Sequence, residues 1–160
     1  MGMYKKGDKI VYPLYGAGVI DNIEQKEIDG EMQLYYVLEI PVGNLKIMIS
    51  AAKAEVQGVR AVHDKRDIMN ILSSALDIEG IKHDNWNQRY KENMERMRTG
   101  CLTQVGLVFN NLLLRERERG LSTAEKKMMS TAKQIILSEL ILSMDINKVK
   151  AEEILDKTYI

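Results

Sequence analysis

The side chains able to carry out chemistry are few and scattered. His63 and His83 fall in different connections, and neither has a second histidine or a carboxylate at metal-ligand spacing beside it. Cys101 is the only cysteine, which rules out an intrachain disulfide and a thiolate metal cluster. It follows Gly100, and a helix N-terminus there would lower a thiol pKa. No partner base can be named, however, and an inert thiol is the simpler reading. Gly16-x-Gly18 lacks the third glycine and the following helix of a dinucleotide loop, and no P-loop lysine exists. Glu24/Glu27 and Glu152/Glu153 read as surface carboxylates. The pattern predicts no catalytic centre, metal or cofactor, and therefore a binding protein rather than an enzyme.

Two features stand above this background. Trp86, the only tryptophan, opens a helical segment that also holds Arg89 and Lys91. It has two readings. It can head a core stripe with Tyr90, Met94 and Met97 at helical spacing, which the residue pattern favours. Alternatively, it can be an aromatic at a helix tip that wedges against a base while nearby cations hold phosphates. The second feature is Arg115, Arg117 and Arg119 followed by Lys126 and Lys127, which spans the end of one helix and the start of the next. Those charges can converge around one loop, although alternation with Glu116 and Glu118 also fits a salt-bridged surface.

These residues need elements to position them. Residues 8–56 alternate with the period of strands. Ile10-Val11-Tyr12 stops at Pro13, and Gly16 to Gly18 permit a bend into Val19-Ile20 and Ile23. Asp29-Gly30 is the strongest hairpin signal, joining a strand ending near Ile28 to one with Met32, Leu34, Tyr36, Leu38 and Ile40 on one face. Gly43-Asn44 turns into Leu45, Ile47 and Ile49. Four or five short strands in this length predict a small SH3-like or Tudor-like barrel over residues 3–58.

After Gly58 the period becomes helical, and residues 59–160 form an all-α domain of five helices. The first starts at Asp64 and carries Ile68, Ile71, Leu72 and Ala75. Gly80 interrupts. The second is capped by Asp84 or Asn85 and stops at Gly100. The third runs from Leu102 to Arg119. Ser122 and Glu125 form a capping box for the fourth, with Met129, Ala132, Ile136 and Leu140 inward. The fifth begins near Asn147 with Val149, Ile154 and Leu155. The fold class is thus a two-domain α+β chain.

Net charge is zero over the 160 residues, yet its distribution is uneven. Residues 1–58 carry 6 basic and 8 acidic side chains, whereas Lys82 to Lys133 holds 11 against 6. A locally basic helical stretch suits phosphate contact or an ordinary solvated surface equally well. No apolar run approaches a bilayer span, and the start MGMYKKGDK has no secretory h-region, so a cytoplasmic protein without a membrane partner is expected.

Taken together, these motifs resemble a known family. KKGDKIVYPLYGAGVI, from Lys5, is similar to the opening of the polymerase-interacting domain of CarD/CdnL bacterial transcription regulators, a domain also found in transcription-repair coupling factors. Asn85-Trp86 with Arg89-Tyr90-Lys91 resembles that family's C-terminal signature. Arg117 to Ser122 with Glu125-Lys126, then Ala151 to Asp156, continue it in order. The resemblance covers the chain from Met3 and favours the wedge reading of Trp86.

The resemblance implies a cytoplasmic monomer, nucleoid-associated through RNA polymerase. Its barrel would bind the polymerase β subunit through Lys26, Lys46, Ile47 and Met48. Its helical domain would contact promoter DNA in the minor groove at the upstream edge of the bubble, largely without regard to sequence, and stabilise the open complex. Trp86 would be the wedge, and Arg89, Lys91 and Lys126 the DNA contacts. Relatives carry arginines where this chain has Lys26 and Met48, so polymerase contact here would lean on apolar and main-chain pairing. The alternative function is a protein–protein adaptor of the transcription machinery without DNA contact.

Overall fold

The computed structural model describes residues 3–78 and 85–159. Five strands, β1 (Lys9–Tyr12), β2 (Gly16–Ile28), β3 (Glu31–Ile40), β4 (Leu45–Ser50) and β5 (Arg60–Ala61), precede five helices. These are α1 (Lys65–Ser74), α2 (Trp86–Arg98), α3 (Leu102–Glu118), α4 (Thr123–Met144) and α5 (Lys148–Thr158), with a short 3-10 turn, Ala75–Asp77, after α1. The two-domain α+β organisation read from the periodicities is the one observed. Gly80, His83 and Asp84, to which the sequence assigns an interruption, a connection and an alternative cap, lie outside the described residues.

The strands form one antiparallel sheet in the order β4-β3-β2-β1-β5. Asp29 and Gly30 both have positive φ, 52° and 80°, the geometry that continues the twist of a two-residue hairpin between β2 and β3. A register shift between Ile20 and Asn22 bends β2 and lets the sheet curl over Ile10, Ile20, Tyr36, Leu38 and Ile49. The expected barrel needs one correction. Among the described residues β4 pairs only with β3 and β5 only with β1, so the curled sheet does not close. β5 also extends the sheet two residues beyond Gly58. Its two bridges, Ile10 to Ala61 and Val11 to Arg60, are too short to leave a periodic signal.

The face of β3 that carries Met32, Leu34, Tyr36, Leu38 and Ile40 is buried only at its inner end. Tyr36, Leu38 and Ile40 are buried, but Met32 is exposed beside the hairpin tip and Leu45 is exposed on β4. In the helical domain Met128, not Met129, is the buried methionine of α4, and Val149 is exposed while Ala151 and Leu155 face the core. The first is a shift of one position around a helix, which a 3.6-residue period with flanking apolar residues does not resolve. α3 and α4 supply most of the core, with Leu107, Val108, Ile136 and Leu140 essentially inaccessible.

The two domains are clasped along the second half of α4. Gly16 lies so close that a Cβ there would sit 2.8 Å from Ser138 Oγ, and the adjacent Ala17 N–H donates to that oxygen at 2.8 Å. Arg60 on β5 grips the fully buried Glu139 through two bonds of 2.8 and 2.9 Å, and the His63 N–H donates to the same carboxylate at 2.9 Å. Lys9 donates to the Leu142 carbonyl, and Ser143 donates to the His63 carbonyl. Every member of this clasp has its polar group satisfied, which is what makes burial of the carboxylate tolerable.

Candidate nucleic-acid interface

The tip of α2 meets the loop between α3 and α4. Asn85 caps α2, accepting from the Gln88 N–H, so Trp86 occupies the first helical position and its side chain leaves the helix at the end. It is 40% exposed and lies outside the apolar cluster. The inward stripe of α2 is instead Arg89, Asn93 and Met97, with Tyr90 and Met94 half-buried beside it. The indole stacks on Tyr90, centroids 5.0 Å apart and planes 13° from parallel. Its Nε1 donates to Ser122 Oγ at 3.1 Å. One face and the polar edge of the ring are therefore fixed by the protein.

Ser122 is the N-cap of α4 in the expected capping box: its oxygen accepts from the Glu125 N–H, and the Glu125 carboxylate accepts from the Ser122 N–H. Glu125 in turn receives Arg89, Nε to Oε2 at 2.9 Å and Nη2 to Oε1 at 3.3 Å, with both side chains almost wholly buried. Burial opposes ionisation of Glu125. The bonds from Arg89 and Ser122 outweigh it and hold the carboxyl below its ordinary pKa. Arg89 thus points inward onto α4 and joins the two helices beside the tryptophan. Nothing local in the sequence signals this pairing, because the partner carboxylate is 36 residues away.

Lys91 and Lys126 are exposed, as are Arg117 and Lys127. Among the described residues, Arg117, Lys126 and Lys127 take part in no ion pair, Arg117 despite its alternation with Glu116 and Glu118. Since Ser122 touches the indole, Lys126, one helical turn further along α4, lies close to the tip. The arrangement is an exposed aromatic on a rigid mount with positive charge around it. Such a surface can press an apolar ring between bases while cations hold the backbone.

The second candidate surface lies on the sheet. β4 is an edge strand, and Lys26 on β2 and Met48 on β4 meet across β3, with Nζ 3.3 Å from Sδ. Lys46 sits 3.6 Å from Asp21, and Ile47 packs partly into the sheet's core. The four residues expected to face polymerase are therefore on one corner, although Ile47 presents chiefly its main chain. Of the remaining chemical candidates, Cys101 is exposed at the start of α3, His63 contributes only backbone bonds, and Gly16 to Gly18 lie in β2 against α4. Among the described residues no helix is long and apolar enough to cross a membrane.

Both parts of the chain match known proteins. Residues 4–63 match the CarD-like/TRCF RID domain, and residues 67–156 match the CarD C-terminal domain. A Bacillus subtilis (strain 168) protein described as "Putative transcription factor YdeB" is 36% identical over 138 residues, covering 86% of this chain and 90% of that protein. With both domain types matched in order along most of its length, the chain belongs to the CarD/CdnL family of transcription regulators.

Proposed function

We propose that the protein is a transcription regulator that binds the β subunit of RNA polymerase through its sheet and stabilises the promoter open complex through its helical domain. The observation that carries the DNA half is the mounting of Trp86: half-exposed at a helix tip, yet held by Tyr90 and Ser122. A wedge must be apolar where it meets the bases and stiff where it meets the protein, because ordering a free side chain on binding would consume part of the gain. Lys91 and Lys126 supply phosphate contacts, which position without reading sequence. Arg89 is a positioning residue that acts through Glu125.

The polymerase half rests on the RID-type match and on the open edge of β4, where main-chain pairing with a partner strand adds affinity and the Lys26/Met48 corner adds side-chain contact. The protein acts as a cytoplasmic monomer that reaches the nucleoid with polymerase, and it carries out no catalysis. The test is capture of the isolated β subunit on immobilised protein, together with open-complex lifetimes across a salt series. β capture and a lifetime gain that falls steeply with salt fit the proposal. β capture with a salt-insensitive effect would support the adaptor reading without DNA contact, and failure to capture β would remove the polymerase half.

A further inference from the structure

A cavity of about 390 Å³ opens between α2 and α4, its nearest α2 residue one helical turn from the tryptophan. Tyr90, the ring on which the indole stacks, is part of its wall. Met94, Met128 and Leu14 of the β1–β2 loop give it apolar walls, and Ala124, Lys127 and Thr131 line it from α4. We infer that this groove receives one unpaired base, drawn from the DNA step that Trp86 holds open, with Lys127 on the adjoining phosphate. The inference rests on the wedge reading of Trp86 and names a second site beside it.

Three observations favour a base over an apolar peptide. The groove has the size of a small-molecule site and adjoins the exposed indole through a shared aromatic, Tyr90, so a base displaced by the wedge has an apolar site beside it. Lys127 forms no ion pair among the described residues, and a nucleotide, unlike an apolar segment, brings the anion that complements it. The lining also suits a planar heterocycle of any sequence. Thioethers make soft contacts with aromatic rings, and the Thr131 hydroxyl, which donates to the Lys127 carbonyl at 3.0 Å, keeps lone pairs for an exocyclic amine. No rigid bidentate fork is present in the groove, so it holds a base without discriminating strongly among the four.

The test uses the full chain and DNA forks carrying either a base or an abasic residue at the first unpaired position of each strand in turn. Wild type should favour the base-bearing fork on one strand by about tenfold, the scale of one stacked base. Ala124→Leu fills the groove from α4 and leaves Trp86, Ser122 and Lys127 in place, so it should erase that preference while retaining affinity for the abasic fork. If its thermal midpoint falls, Thr131→Leu replaces it. A preference that survives the filled groove, or wild type that never distinguishes base from abasic site, overturns the inference. Loss of fork binding in Trp86→Ala with an unchanged base preference in Ala124→Leu would keep the wedge and overturn the groove. Equal fork binding by wild type and Trp86→Ala would overturn both. A groove-filled variant that loses polymerase capture but keeps its base preference would assign the groove to a protein segment and likewise overturn the inference.

Discussion

Trp86 Nε1 lies 3.1 Å from Ser122 Oγ, so the hydroxyl that starts α4 also fixes the indole at the tip of α2. The same oxygen accepts from the Glu125 N–H and donates to the Glu125 carboxylate at 3.1 Å, which uses its one proton and both lone pairs. The seating of the indole and the helix cap therefore depend on a single atom.

Ser122→Ala should accordingly do two things at once. Loss of the cap should cost about 1 kcal/mol, a midpoint shift of roughly 2–4 °C in a chain of this size. Loss of the indole's partner should reduce DNA engagement by more than that stability change explains. Ser122→Thr, which retains a hydroxyl, should recover most of both in thermal melts and fork titrations. Equal DNA binding by the alanine variant would show that the mount is not needed.

The Arg89–Glu125 pair should make stability pH-dependent in one direction. Glu125 has a folded-state pKa below its ordinary value of 4.5. Between the folded and unfolded values the unfolded chain binds more protons, so the pair's contribution is fully present above the ordinary value and is lost as pH falls through the folded one. Glu125→Gln should lower the midpoint at pH 7, and the gap from wild type should narrow in acid. A gap that widens as pH falls would contradict the assignment.

Much of this was legible from local chemistry. Asp29-Gly30, Asn85, Gly100 and the Ser122/Glu125 box each encode a turn or cap within four residues, and the helix limits follow from them. What the sequence could not reveal was long-range. Arg89 looks exposed among polar neighbours until Glu125 arrives from α4, and β5 is two residues whose pairing with β1 exists only in the fold. Arg60 and Glu139 carry no shared motif, yet they join the domains across 79 positions. The Trp86 stripe was ambiguous because a helix beginning at an aromatic has no preceding turn to bury it; the ring can sit over the core or beyond it.

Glu139→Ala should test that clasp. It leaves the Arg60 guanidinium and the His63 N–H without their shared acceptor, which should cost about 3 kcal/mol or more. The midpoint should fall by roughly 6–12 °C, and proteolysis should begin to cut between the domains. A midpoint within 2 °C of wild type would show the clasp to be energetically idle.

Lys126→Ala should weaken DNA binding by a similar factor on unrelated promoters, because an exposed ammonium reaches phosphates and carries no base-reading fork. The loss should shrink at high salt. A loss confined to particular sequences and persisting in high salt would mean base readout.

The most direct test of the account is the open-complex lifetime with Trp86→Ala. The ring is 40% exposed and outside the apolar cluster, so its removal should leave the fold intact and move the midpoint by only a few degrees. Polymerase β capture should be unchanged, while the lifetime gain over polymerase alone should drop by about tenfold. A folded Trp86→Ala protein that prolongs open complexes as well as wild type would contradict the central claim.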